Sequence, residues 1–135
     1  MADERNHRSR VLVVEDDPAN RQLAVRILER EGYQVELADG GPRALEIAEA
    51  MPVDLVLMDL SMPGMDGLET TRRLRQLAGH ATTPVIALTA HAMTEDTQNA
   101  IAAGCDDVMV KPYRPAELIA TVARVLGTPD LRSPE

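Results

Sequence analysis

Three acidic residues of the sequence stand where short apolar runs end, and together they could bind a metal ion. Glu15 and Asp16 follow the run 11–14, and Asp59 follows the run 55–58. Three carboxylates that meet in one crevice repel one another strongly unless a cation lies among them. Oxygen ligands with few protein donors suit Mg²⁺, which keeps several of its waters. A carboxylate beside Mg²⁺ can also act as a nucleophile toward phosphorus.

Two further polar residues end apolar runs and add the groups that phosphoryl transfer needs. Thr89 follows the run 85–88, and Lys111 follows the run 107–110 and is the only lysine in the chain. Phosphoryl transfer requires charge neutralisation around the phosphoryl oxygens, which an ammonium and a hydroxyl donor can supply. Any one of the five residues alone is more often a solvated loop or cap residue, and we interpret Asp17 as such a helix cap. Only the five together indicate a site.

The elements that must position these residues alternate strictly between strand and helix. The apolar runs predict strands at 11–14, 33–38, 54–58, 85–88 and 107–110, each followed by a segment with helical periodicity, the fourth of which spans 91–103. We therefore predict an α/β fold, (βα)5, with a doubly wound five-stranded parallel sheet of order 2-1-3-4-5, similar to flavodoxin. In such sheets ligands bind at the carboxyl ends of the strands, which is where the five residues lie.

Composition limits the classes of protein that remain. The chain has 135 residues with 44% apolar residues and a net charge of −8, which suits one domain and disfavours nucleic-acid binding by this chain alone. No apolar stretch approaches the length of a membrane span, and the polar N-terminus lacks an apolar signal region. We expect a polar tail at 1–9, one domain at 10–127, a polar tail at 128–135, and a soluble cytoplasmic protein.

The histidines and the single cysteine give no second site. His7, His80 and His91 lack metal-ligand spacing, so we interpret them as surface residues. Cys105 cannot form an internal disulfide and is interpreted as a small, inert packing residue.

Four blocks of the sequence carry a resemblance that covers residues 10–127. They are the runs 13–18 (VVEDDP), 57–67 (LMDLSMPGMDG), 87–90 (ALTA) and 111–112 (KP). These runs resemble the four blocks of response-regulator receiver domains, the phosphoacceptor modules of two-component signalling. The second block is the most specific, because Met-Asp followed at this distance by Met-Pro-Gly-Met-Asp-Gly seldom arises otherwise.

The resemblance implies a role for each residue of the acidic crevice. Asp59 would be the phosphoacceptor, which takes a phosphoryl group from a phosphohistidine. Asp16 would bind Mg²⁺ directly, Glu15 would hold the ion through water, and the backbone carbonyl of Ser61 would be another metal ligand. The protein would not be an enzyme beyond self-catalysed transfer to Asp59 and slow autodephosphorylation.

The resemblance also bears on the switch. Thr89 and Lys111 would contact the phosphoryl oxygens, and the Lys111–Pro112 peptide bond would be cis. Receivers usually carry an aromatic residue three positions before this lysine, whereas here the residue is Val108. The switch would then work through packing of the fourth helix or through Tyr113, or the change of shape would be small.

Two positions that flank the phosphoryl group in this family are Ser61 and His91, neither of which is an obvious water-orienting acid or amide. We therefore expect a moderately long-lived phosphoryl state. The partners implied are a sensor histidine kinase or a histidine phosphotransfer protein, and a downstream protein that binds the fourth and fifth helices and the fifth strand. The phosphorylated form could also dimerise. The run 90–93 (AHAM) is similar to receivers of hybrid kinases and of stand-alone relay proteins, and both remain open.

Three other functions are compatible with a fold of this kind, and each conflicts with residues of the sequence. A flavodoxin-like electron carrier would need a hydroxyl- and glycine-rich loop where 15–17 is acidic. A phosphohydrolase of the haloacid-dehalogenase type would need an acid at Ser61. A phosphorylation-independent docking module with a receiver-like fold is the main alternative, and the presence of all five site residues argues against it.

Overall fold

The structure is a computed structural model that describes residues 9–61, 66–90 and 94–126. Five strands and five helices alternate along these residues. The strands are β1 (Arg10–Val14), β2 (Gln34–Ala38), β3 (Leu55–Asp59), β4 (Val85–Thr89) and β5 (Asp107–Val110). The helices are α1 (Pro18–Arg30), α2 (Gly41–Ala50), α3 (Gly67–Leu74), α4 (Thr94–Ala103) and α5 (Pro115–Leu126).

The five strands form one parallel sheet in the order β2-β1-β3-β4-β5, which confirms the predicted topology. β1 lies beside β3, with Val14 opposite Met58, and β3 lies beside β4, with Asp59 opposite Leu88. The chain order changes direction at β1 and β3, so the carboxyl ends of these two strands flank the crevice where such folds bind ligands.

The core has two layers, one on each face of the sheet. Alternate residues of the central strands pack with α1 and α5 on one face and with α2, α3 and α4 on the other. Every residue of β3 and β4 is buried. Burial on both faces explains why these strands are continuous apolar runs without alternation, and it makes the polar residues at their ends conspicuous.

The helices that follow β1 and β3 begin at side-chain caps. Asp17 accepts a hydrogen bond from the backbone N–H of Asn20 at 3.0 Å, which confirms the predicted cap of α1. Asp66 caps α3 in the same way, through the N–H of Glu69 at 2.9 Å. At Gly67 the start of α3 approaches the end of β3 so closely that a Cβ would overlap the Asp59 carbonyl oxygen. Both caps hold a helix start against the edge where the acidic residues lie.

One arginine joins two connecting segments at the opposite edge of the sheet. Arg75, the residue after α3, donates hydrogen bonds to the carbonyl oxygens of His80 at 3.0 Å, Thr83 at 2.6 Å and Gly104 at 2.7 Å. Its guanidinium also pairs with Asp106 at 3.1 Å. These contacts tie the segment before β4 to the turn between α4 and β5, and we call them the Arg75 clamp.

The prediction that His80 lies at the surface is wrong. The residue is 4% exposed, and its ring bridges two elements. Nε2 donates to the carbonyl oxygen of Ala48 in α2 at 2.8 Å, and Nδ1 lies 2.8 Å from the hydroxyl of Thr83. Both ring nitrogens are satisfied, so burial is compatible with a polar side chain.

Two of the predicted strands begin one residue before the observed strands. β2 begins at Gln34 and not at Tyr33, whose ring is buried in the core, and β3 begins at Leu55. The predicted surface residues His7 and His91 and nearly all of the two predicted tails lie outside the described residues. Cys105 is buried, as predicted. Among the helices that the structure describes, none combines the length and apolar character needed to cross a membrane.

Candidate functional site

The three predicted acidic residues meet at the carboxyl edge of the sheet. Glu15 and Asp16 follow β1, and Asp59 is the last residue of the neighbouring β3. One carboxylate oxygen from each residue lies within 4.8 Å of those of the other two. We call these three residues the acidic cluster. Their convergence is the direct result of placing β1 beside β3 in a parallel sheet.

Two members of the acidic cluster are almost completely buried. Glu15 is 3% exposed and Asp59 is 1% exposed, whereas Asp16 is exposed to solvent. Burial, together with the hydrogen bond and the negative charge of Asp59, raises the pKa of Glu15 to about 7. The charge of Lys111 and the N–H of Asp17 act in the opposite direction. Two buried carboxyl groups in contact therefore need either a shared proton or a cation.

Lys111 supplies one positive charge to the buried pair. Its Nζ lies 3.4 Å from Oε1 of Glu15 and 3.5 Å from Oδ1 of Asp59. The backbone supports this placement, because the N–H of Lys111 donates to the carbonyl oxygen of Thr89 at 2.7 Å. The Lys111–Pro112 peptide bond is cis, as predicted.

A divalent cation fits the donor set of the acidic cluster. If all three carboxylates are ionised, their charge of −3 and the +1 of Lys111 leave −2. The donors are oxygen atoms, one member is open to solvent, and the cluster therefore leaves room for waters on the ion. The residues present thus suit Mg²⁺ better than a transition metal, which would favour nitrogen or sulfur ligands.

Thr89 and Ser61 lie beside this centre. Thr89 is the buried last residue of β4, one position beyond the residue opposite Asp59. Ser61 is exposed, and its backbone N–H donates to Oδ1 of Asp59 at 3.0 Å. The structure thus brings both predicted residues to the same edge. The predicted contact of Thr89 with a phosphoryl group and the predicted role of the Ser61 carbonyl as a metal ligand stay predictions.

Backbone contacts that the sequence did not indicate hold the loop after β1. Arg21 of α1 donates from Nη1 to the carbonyl oxygen of Glu15 at 2.9 Å. The N–H of Asp17 donates to Oε2 of Glu15 at 3.3 Å. A signal for the first contact exists, because Arg21 lies four residues after the cap Asp17 and so points back over the start of the helix.

The two residues linked to the switch lie on different sides of the sheet. Val108 in β5 is half-buried and packs on the core layer that contains α4. Tyr113 packs on the opposite layer, beside α5. Burial, together with the nearby charge of Glu15, raises the pKa of Tyr113 to about 12, so its phenol stays protonated at neutral pH.

Comparison with known proteins agrees with this geometry. The family model described as "Response regulator receiver domain" matches residues 11–123. The histidine-protein kinase BarA of Escherichia coli K12 is 42% identical over 118 residues, which are 87% of this chain and 13% of BarA. The chain therefore spans about an eighth of the length of this curated relative.

Two solved structures are similar over most of the chain. The receiver domain of the sensor histidine kinase PA1611 of Pseudomonas aeruginosa PAO1 is 37% identical with a TM-score of 0.82, covering 88% of this chain and 98% of that one. It is described with a magnesium ion coordinated in its active site cleft. The chemotaxis protein CheY4 of Vibrio cholerae is 34% identical with a TM-score of 0.84, covering 87% of this chain and 98% of that one.

Proposed function

The chain belongs to the response regulator receiver domain family, and from this premise we propose that Asp59 accepts a phosphoryl group from a phosphohistidine of a partner protein. One observation carries the proposal. The buried carboxylate of Asp59 ends a central strand, with two further carboxylates within 4.8 Å and the ammonium of Lys111 at 3.5 Å. A nucleophilic oxygen and a compact positive charge are thus held together at the ligand-binding edge.

In the transfer step a carboxylate oxygen of Asp59 attacks phosphorus. The O–P bond forms as the P–N bond to the donor imidazole breaks, and the electron pair of that bond goes to the imidazole nitrogen. Negative charge on the phosphoryl oxygens is offset by the ammonium of Lys111, and the hydroxyl of Thr89 donates a hydrogen bond to another oxygen. The N–H of Ser61, at 3.0 Å from Oδ1, orients the carboxylate before the attack.

The acidic cluster would hold Mg²⁺. Asp16 and Asp59 would bind the ion directly, Glu15 through water, and the backbone carbonyl of Ser61 would be a further ligand. When bound, Mg²⁺ supplies charge neutralisation at the phosphoryl oxygens. The carboxylate geometry supports this assignment, as does the magnesium ion in the cleft of the PA1611 receiver.

The donor would be a sensor histidine kinase or a histidine phosphotransfer protein. The similarity to receiver segments of kinases such as BarA supports this class of partner. The product would be a phosphorylated signalling domain that is located in the cytoplasm and loses its phosphoryl group slowly. A half-life of only seconds for the phosphorylated protein in Mg²⁺ would contradict the slow loss.

The output would be a surface made by α4, β5 and α5 that binds a downstream protein or a second phosphorylated copy. Two large apolar side chains support this choice, because Ile101 in α4 is 52% exposed and Val110 in β5 is 37% exposed. Among the side chains of α4 that the structure describes, only those of Ala100 and Ala103 are buried in the core. An element anchored by so little apolar area can change position at low cost.

Titration with beryllofluoride, a phosphoryl mimic, in Mg²⁺ tests the proposal. Backbone amide shifts followed by NMR should be large around Asp59, Thr89 and Lys111, and Asp59→Asn should abolish them. Asp39→Asn is the matched control, because Asp39 is an exposed acid that follows β2 at the same edge outside the acidic cluster. This control should respond as the wild type does. No response of the wild type would leave a phosphorylation-independent docking module.

A further inference from the structure

The backbone of Glu15 is held by hydrogen bonds on both sides of its Cα. The N–H of Glu15 donates to the carbonyl oxygen of Ala38 in β2 at 3.0 Å. Its carbonyl oxygen accepts from Nη1 of Arg21 at 2.9 Å. Because a peptide unit is planar, holding this carbonyl also sets the direction in which the chain continues to Asp16.

The backbone of Arg21 belongs to the hydrogen-bonded first turn of α1. Its N–H donates to the carbonyl oxygen of Asp17 at 2.9 Å, and the side chain of Asp17 caps the helix through the N–H of Asn20. The N–H of Asp17 in turn contacts the Glu15 carboxylate at 3.3 Å. The start of α1 and the loop after β1 therefore form one hydrogen-bonded unit, and the guanidinium of Arg21 joins its helix to the backbone between the first two acids.

From these contacts we infer that Arg21 is a positioning residue for the acidic cluster, which sets the affinity of the site for Mg²⁺ by holding Asp16 in place. The inference rests on the proposed function of the site. Asp16 is the exposed member of the cluster, so the surrounding core does not fix it as it fixes Glu15 and Asp59. The position of the Asp16 carboxylate therefore depends on how firmly the backbone of the loop after β1 is held.

A purely electrostatic role for Arg21 predicts the opposite effect. A cation near three carboxylates repels Mg²⁺, so removal of its charge alone should make the ion bind more tightly. Loss of the hydrogen bond to the Glu15 carbonyl should instead let the loop after β1 relax and make the ion bind more weakly. Substitutions around metal ligands that remove such supporting contacts typically weaken metal binding 10- to 100-fold. The sign of the change therefore separates the two roles.

The test is calorimetric titration of Mg²⁺ into the wild type and three variants, Arg21→Gln, Arg21→Lys and Arg26→Gln. Arg26→Gln is the matched control, because it removes the same charge from an exposed position of the same helix. We expect Arg21→Gln to bind Mg²⁺ about 10-fold more weakly than Arg26→Gln. Arg21→Lys, which retains a donor and the charge, should lie between Arg21→Gln and the wild type.

NMR spectra of the metal-free variants show whether each one is folded. In Arg21→Gln the amide shifts should change at residues 15–17 and not in the distant strands. Binding of Mg²⁺ by Arg21→Gln as tightly as by Arg26→Gln, or more tightly, would overturn the role of Arg21 while leaving the proposed function intact. Absence of Mg²⁺ binding by the wild type would overturn both. If Arg21→Gln does not fold, a weakened affinity of Arg21→Lys relative to the wild type supports the inference, and an unchanged affinity overturns it.

Discussion

Without metal, the stability of the protein should fall as pH rises, because the folded state holds a proton on Glu15 that the unfolded state releases. The pKa of this carboxyl is raised from 4.5 to about 7 by burial and by Asp59. Between these two pH values the folded state binds more protons than the unfolded state. The contribution of the Glu15 carboxyl to stability is therefore complete below pH 4.5 and is lost as pH rises through about 7. A carboxylate in a salt bridge has the opposite pH dependence, because its contribution to stability is lost as pH falls.

The size of the effect follows from linkage. A single carboxyl whose pKa rises from 4.5 to about 7 on folding loses roughly 2–3 kcal/mol of its contribution between pH 5 and pH 8. This is a large part of the roughly 5–15 kcal/mol by which a domain is stable. Mg²⁺ should oppose the loss at high pH, because it binds the ionised carboxylates of the folded state and stabilises that state by mass action.

The assay is urea unfolding followed by circular dichroism at several values between pH 5 and pH 8, in chelator and in Mg²⁺. Other groups also titrate in this range, so the quantity to compare is the difference between wild type and Glu15→Gln. In chelator this difference in the free energy of unfolding should change by roughly 2–3 kcal/mol across the range, because the wild type becomes less stable as pH rises. The reasoning is refuted if wild type and Glu15→Gln show the same pH dependence without metal.

Three other substitutions probe the site and its frame. Lys111→Met should slow phosphorylation of Asp59 by phosphoramidate about 100-fold, measured by mass spectrometry, and a loss below 10-fold would contradict the role of the ammonium. Arg75→Met should lower the free energy of unfolding, measured in urea, by about 3 kcal/mol, because it leaves three half-buried carbonyl oxygens without this donor. An unchanged midpoint of the urea transition would show that water replaces the Arg75 clamp. Gly67→Ala should lower the free energy of unfolding by about 2 kcal/mol in the same assay, since the added Cβ overlaps the end of β3. Gln76→Ala, at an exposed position, is the control, and equal stability of the two variants would show that the backbone shifts freely at Gly67.

The strands and the acidic cluster could be predicted because one physical fact determines both. A strand buried on both faces must be apolar, so a charged residue such as Asp59 stands out at its end, and parallel pairing brings such ends to one edge. The cap Asp17 could be predicted for a similarly local reason, because its partner lies three residues away.

The contacts of His80 and Arg75 could not be predicted, because each depends on a backbone carbonyl that the sequence does not mark. His80 donates to Ala48, which is 32 positions away, and nothing in either residue type indicates the pairing. Every residue carries a carbonyl oxygen, so a polar side chain in a loop has many equivalent candidates before the chain folds. A polar side chain without a partner that the sequence indicates is predicted to face solvent, which is why the surface prediction for His80 was wrong.

The Arg75 clamp has a consequence for the way α4 can move. The helix runs back from the edge that carries the site, so Ala103 lies at the far edge and Thr94 at the near one. Arg75 grips the far end through the carbonyl of Gly104 and the carboxylate of Asp106. The clamp therefore holds the C-terminal end of α4 against the segment before β4. We therefore expect any displacement of α4 to be largest at the end that begins with Thr94, while the turn into β5 keeps its place.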